Sequence, residues 1–204
     1  MEGMISGMIK IAVLCSGSGT NLQALIDAWL SGKFENGELS LVIASRPHIF
    51  ALKRAADNNI PTVTINKGDY PNSDEYDKAL LEQLKLHNID FVVAAGFLGI
   101  IGQNTLTAYE NRIINVHPSL IPSFCGKGFY GLHVHKAALD YGVKLTGATV
   151  HIVNHIVDGG RILLQKAVEV LPDDTPESLQ RRVMEEAEWD ILTEAVAMFC
   201  RGEF

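Results

Sequence analysis

The 204-residue chain is poor in cysteine, in basic residues and in long apolar runs, and each shortage removes a class of protein. Its three cysteines, Cys15, Cys125 and Cys200, are widely separated, odd in number and never arranged Cys-x-x-Cys. That argues against a disulfide framework and a zinc knuckle, and it fits a reducing cytoplasm. Seventeen Lys and Arg against twenty-four Asp and Glu leave a formal charge of -7 with no basic patch, so no nucleic-acid partner is expected. The apolar run 91–101 is cut by Gly96 and Gly99 and falls short of the ~20 residues of a membrane helix, so no membrane partner is expected either. Glu2, with no basic residue before Lys10, does not suit a secretory signal, and residues 1–7 are expected to form a ragged leader. What remains is 47% apolar and 20% charged, an ordinary globular composition, and the length suits a single domain, 1–204.

Residues 9–14 form a compact apolar run stopped by Cys15-Ser-Gly-Ser-Gly, and 21–30 then place Leu22, Leu25, Ile26 and Trp29 at helical spacing. The alternation continues with strand-like 41–44, 62–65, 91–94 and 112–116. Between them stand helical segments 50–58, 74–87 (Tyr76, Leu80, Leu81 and Leu84 on one face) and 106–109. This rhythm predicts an α/β fold: a doubly wound, mainly parallel twisted sheet with helices on both faces. After His117, Pro118, Pro122, Gly126, Gly128 and Gly131 punctuate a long connection, expected to form part of an active-site wall. Segments 145–153 and 161–170 read as two strands joined by 154–160, an antiparallel C-terminal addition. Thr175-Pro176 starts a final helix whose buried stripe is Leu179, Val183, Ala187, Ile191, Ala195 and Met198.

Three motifs carry chemistry. Gly17-Ser18-Gly19-Thr20-Asn21 opens the first helix, where backbone N–H groups and the helix dipole favour an anion, a phosphate monoester best. Leu22 stands where a dinucleotide fingerprint has its third glycine, no Gly-Lys-Ser/Thr follows, and a bare tight turn is the alternative. Asn115-Val116-His117-Pro118-Ser119 ends a central strand, where open α/β sheets place ligands, and a period of two sends Asn115 and His117 to the same side. A structural histidine beside a proline is the plainer alternative. Asp158-Gly159-Gly160 suits a tight reversal that needs no function, and gains interest only beside His117. His133, His135, His151 and His155 could join His117 and Asp158 as metal ligands of a metallohydrolase. However, His151 and His155 straddle a strand end and a loop with no Glu between them, so no metal is expected.

Taken in order, Ser16-Gly-Ser-Gly-Thr-Asn-Leu-Gln-Ala-Leu25, Ala95-Gly-Phe97, Asn115-Val-His-Pro-Ser-Leu-Ile-Pro122 and Asp158-Gly-Gly160 resemble the phosphoribosylglycinamide formyltransferases of purine synthesis over nearly the whole chain. The third segment is similar to the wider folate-dependent formyltransferase family, methionyl-tRNA formyltransferase and formyltetrahydrofolate hydrolase included. Those two carry further domains for which this chain is expected to have no room. The resemblance implies a cytoplasmic enzyme, monomer or homodimer, that moves the formyl group of 10-formyltetrahydrofolate to the primary amine of phosphoribosylglycinamide. It implies Asn115, His117 and Asp158 as the catalytic trio, and Gly17, Ser18, Gly19, Thr20 and Asn21 on the substrate phosphate. Leu98, Gly99, Ile100 and Ile101, together with Val153, Asn154, Val157, Asn115 and Asp158, are implied at the folate. Glu188, after a one-residue shift in the helix, is implied near the substrate amine. Three departures stand out: Gly99 replaces an arginine, Ser73 stands where relatives carry a basic residue, and the loop 123–130 is longer, with Lys127 a candidate for positive charge near the phosphate or the folate glutamate. A hydrolase using water with the same trio, and a non-catalytic nucleotide sensor, are the competing functions.

Overall fold

The computed structural model describes residues 7–204, so the expected leader lies outside the described residues except for Gly7, an exposed bend. The chain divides into two compact units, one of residues up to 114 with 196–204, the other of residues 115–195.

In the first unit, strands β1 (Ile9–Cys15), β2 (Gly37–Ala44), β3 (Thr62–Thr64) and β4 (Phe91–Ala94) pair in parallel in the order β3-β2-β1-β4. Strands covered on both faces are apolar throughout rather than alternating, and Ile11 to Cys15 are all fully buried. Helices α1 (Thr20–Leu30), α2 (Phe50–Asp57), α3 (Ser73–Leu86) and α4 (Gln103–Ala108) make the connections. The Asn72 side chain caps α3 by accepting from the Glu75 N–H, while Asp74 and Glu75 in the first turn and Lys85 in the last suit the helix dipole. Asn59, Asn88 and Asn111 follow α2, α3 and α4 in the left-handed region, at φ 58°, 52° and 57°. The start of α4 is held from outside: buried Asp77 of α3 accepts from the N–H groups of Gly102 (3.0 Å), Asn104 (2.9 Å) and Thr105 (3.3 Å). Residues 196–204 return to this unit, where Phe199 stacks on Phe91 with centroids 3.8 Å apart.

Strand β5 (Ile113–His117) starts in the first unit and ends in the second, which also contains β6 (Leu145–Ile152) and β7 (Ile162–Glu169). The seven-stranded order is β3-β2-β1-β4-β5-β6-β7, mostly parallel, with β6 and β7 antiparallel from Leu145 opposite Glu169 to His151 opposite Ile162. The alternation in the sequence predicts this α/β sheet and its antiparallel C-terminal pair. Two features differ. The second half of the long connection is a helix, α5 (Leu132–Tyr141), which buries Val134, His135 and Ala138. The final helix is interrupted: α6 (Pro176–Val183), capped reciprocally by Thr175 and Ser178, runs into a π-turn (Met184–Glu188) and then α7 (Trp189–Cys200). The π-turn adds one residue; Leu179, Val183, Ala187, Ile191 and Ala195 are buried as expected, and α7 buries Leu192, Val196 and Phe199 besides. Met198, expected in the same stripe, is half-exposed.

Candidate active site

In the second unit, β5, the loop after it, β6 and the β6–β7 loop bring four polar side chains together. Asn115 and His117 sit two apart at the end of β5; His117 is buried and Asn115 half-buried. Asp158 stands in the β6–β7 loop at φ 54°, a left-handed conformation unusual for aspartate, with its side chain almost covered. The two glycines after it are demanded by space. A Cβ on Gly160 would fall 1.7 Å from the Ile152 carbonyl oxygen, and one on Gly159 2.4 Å from Ile156 Cγ2. The Asp-Gly-Gly sequence therefore serves a packed, directed turn rather than a generic hairpin.

Asp158 lies between two imidazoles. Its Oδ2 is 3.6 Å from His117 Nδ1 and its Oδ1 3.6 Å from His151 Nε2. Buried His151 is pinned on its other side, where Nδ1 meets the Ile152 carbonyl at 2.9 Å. A carbonyl only accepts, so Nδ1 carries the proton; in the neutral ring Nε2 then accepts from Asn115 Nδ2 at 3.2 Å. This fixes the orientation of the Asn115 amide. The long loop contributes through its backbone. The Phe124 carbonyl accepts from His117 Nε2 at 2.9 Å, and the Gly126 N–H donates to Asp158 Oδ2 at 2.8 Å. With Nε2–H committed to Phe124, a neutral His117 would turn its Nδ1 lone pair toward a carboxylate, whereas an imidazolium gives a donor to each partner. Burial pushes the Asp158 carboxyl up, but the adjoining His151 side chain, the hydrogen bond from the Gly126 N–H and the nearby His117 outweigh it, and the carboxyl is held below its ordinary value. Glu188, at the end of the π-turn, is 8% exposed.

The first unit holds the glycine loop. Gly19, at φ 73°, is the N-cap of α1, and no side chain caps that helix or adds an acidic group to its first turn. A Cβ on Gly19 would lie 2.8 Å from Ala51 Cβ, so glycine is required for space as well as conformation.

Comparison with known proteins decides the family. The Formyl transferase family profile matches residues 9–196. The chain belongs to the formyl transferase family. Phosphoribosylglycinamide formyltransferase of Bacillus subtilis is 35% identical over 201 residues, covering 96% of this chain and 99% of that one. The chain spans a smaller share of other relatives: 14% of the trifunctional purine biosynthetic protein adenosine-3 of Drosophila melanogaster, at 39% identity, and 65% of the chloroplastic phosphoribosylglycinamide formyltransferase of Arabidopsis thaliana, at 38%. Among solved structures, glycinamide ribonucleotide transformylase 1 of Symbiobacterium toebii superposes with a TM-score of 0.90 at 40% identity, covering 98% of this chain and 92% of that one.

In this member of the family Asn115, His117 and Asp158 fall within one polar network, and the residue that sequence reasoning passed over is His151. The sequence offered it only as a metal ligand, although an inward-facing histidine on the strand beside Asn115 and His117 was a usable signal. The other candidate ligands differ in setting: His133 and His155 are exposed and His135 is buried in α5. The segments implied for folate are loops rich in uncovered apolar side chains. Leu98 is 61% and Ile100 69% exposed in the first unit, with Gly99 and Ile101 half-buried beside them; Val157 is 62% exposed in the second, next to half-buried Val153 and Asn154. A Cβ on Gly99 would lie 2.5 Å from the Phe97 ring and 2.9 Å from the Tyr76 hydroxyl, so a larger residue there requires those side chains to shift. Lys127 is exposed, between Gly126 and Gly128 at φ 88° and 96°.

Proposed function

We propose that this chain transfers the formyl group of 10-formyltetrahydrofolate to the primary amine of phosphoribosylglycinamide in cytoplasmic purine synthesis. The observation that carries the reading is the Asn115–His151–Asp158–His117 network in a chain of this family. The amine nitrogen attacks the formyl carbon, giving a tetrahedral centre with negative oxygen and positive nitrogen. The bond to the folate nitrogen then breaks as a proton passes from the amine to that nitrogen. Asn115 Nδ2, one hydrogen committed to His151, offers its other to the oxyanion. His117 as imidazolium supplies positive charge, and its Nε2–H can exchange the Phe124 carbonyl for the oxyanion. Removing one such donor typically costs about 3 kcal/mol of barrier. Asp158 balances the imidazolium and holds the water that relays the proton.

Gly17, Ser18, Gly19, Thr20 and Asn21 are assigned the substrate phosphate and Glu188 its amine. The absence of an acid or side-chain cap at the start of α1 suits an anion there. Leu98 to Ile101, with Val153, Asn154, Val157 and Asp158, are assigned the folate, whose flat apolar rings suit exposed Leu98, Ile100 and Val157. Lys127 is assigned to the phosphate or the folate glutamate, and unchanged Michaelis constants for both substrates in Lys127→Glu would remove it from the site.

The test is to mix the protein with glycinamide ribonucleotide and a 10-formyl folate and follow deformylated folate. Product that forms only when both are present supports the transfer. Formate released without the amine would make the protein a hydrolase, and no reaction in either mixture would leave a binding protein.

A further inference from the structure

The glycine loop is braced from one side. Three consecutive carbonyls accept hydrogen bonds from the segment that follows β2. Arg46 Nε donates to the Ser16 carbonyl at 3.1 Å, the Ala51 N–H to that of Gly17 at 3.3 Å, and Arg54 Nε to that of Ser18 at 2.9 Å. Carbonyls and N–H groups of successive peptides point in opposed directions, so a loop whose carbonyls are all drawn to one side presents its N–H groups on another, the arrangement of an anion-binding nest.

Arg54 is the member of this brace that no backbone group could replace. Its Nη1 donates to Gln23 Oε1 at 2.9 Å, its guanidinium lies 4.9 Å over the Phe50 ring, and Gln23 is fixed in turn by Asp27 at 2.9 Å. A solvent-facing arginine keeps its rotamer freedom, whereas this one is held by a carbonyl, an amide and a ring together. We propose that Arg54 is a positioning residue for the phosphoryl group of the substrate. It draws the Ser18 carbonyl away from the loop's N–H groups and ties the loop to α1 through Gln23. Its full positive charge stands beside a loop that lacks the lysine of a P-loop. The inference rests on the loop taking the phosphate, and it adds a residue from outside the glycine motif.

The test uses inorganic phosphate and ribose 5-phosphate as probes, followed through the backbone amide resonances of residues 17–20 in the full chain, with no reaction required. In the wild type both probes shift these amides. In Arg54→Ala the dissociation constant rises about tenfold, the scale of one lost charge-assisted contact. Arg54→Lys keeps the charge and stem, but one ammonium cannot fork to Ser18 and Gln23, so it binds about threefold more weakly than wild type. In steady-state assays the Michaelis constant for the phosphorylated substrate rises in step while that for the formyl folate stays within twofold; a general loss of fold would move both. Wild-type amides that respond to phosphate, with equal affinity in Arg54→Ala, would overturn the role of Arg54 and leave the loop's phosphate reading standing. Wild-type amides indifferent to phosphate would overturn both.

Discussion

At the scale of single residues, the site depends on groups that hold other groups. His151 is the clearest case, since it accepts from Asn115 and stands 3.6 Å from Asp158 while its own Nδ1 is tied to Ile152. His151→Phe keeps an aromatic ring but frees the Asn115 amide. Turnover is expected to fall about 10²-fold with both Michaelis constants within a few-fold, measured by steady-state kinetics. A loss confined to the Michaelis constants would assign His151 to binding instead. Gly160 tests the backbone. A Cβ there would stand 1.7 Å from the Ile152 carbonyl oxygen, so Gly160→Ala must displace the turn that carries Asp158. It is expected to lower stability by about 2 kcal/mol in urea titration, and a variant as stable as wild type would show that the turn gives way easily.

At the scale of elements, α4 and the π-turn are the informative places. Asp77 satisfies three N–H groups at the start of α4, so Asp77→Ala leaves them without their acceptor and should cost about 2 kcal/mol, read from the urea midpoint. Deleting Glu185 from the π-turn removes its extra residue and lets α6 run into α7 as one α-helix with both apolar faces in phase. The deletion should change stability by no more than about 1 kcal/mol, and unfolding would contradict it. The alternation of short β-branched runs with helical stripes made β1 to β4 and α1 to α3 legible, and strand-end Asn115 and His117 pointed to the polar network of the second unit. Helix α5 was hidden because the glycines before it read as continuing loop and because one of its three buried residues is a histidine. The π-turn was hidden because one inserted residue leaves the apolar spacing almost intact. The service of the long loop to His117 and Asp158 could not be read at all, because it comes from the carbonyl of Phe124 and the N–H of Gly126.

At the scale of the whole molecule, these groups set the response to acid. His135 is fully buried, neither ring nitrogen has a hydrogen-bond partner, and burial, with His117 nearby, lowers its pKa to about 4. Below the ordinary histidine value of ~6.5 the unfolded chain takes up a proton that the folded chain refuses. Stability should therefore fall by about 1.4 kcal/mol per pH unit until pH reaches about 4, roughly 3 kcal/mol in all. Asp158 and Asp174 act lower. Their folded carboxyls are held below the ordinary value, Asp174 chiefly by hydrogen bonds from Arg182, so their stabilisation is complete above ~4 and is lost as pH falls through the folded values. Urea titrations across pH should show two stages, the upper one removed in His135→Leu; an unchanged upper stage would exclude His135 as its source. The measurement closest to the central claim is formyl transfer by Asp158→Asn with both substrates saturating, alongside wild type. The account predicts a fall in turnover of at least about 10²-fold with substrate affinities nearly retained, and turnover close to wild type would contradict it.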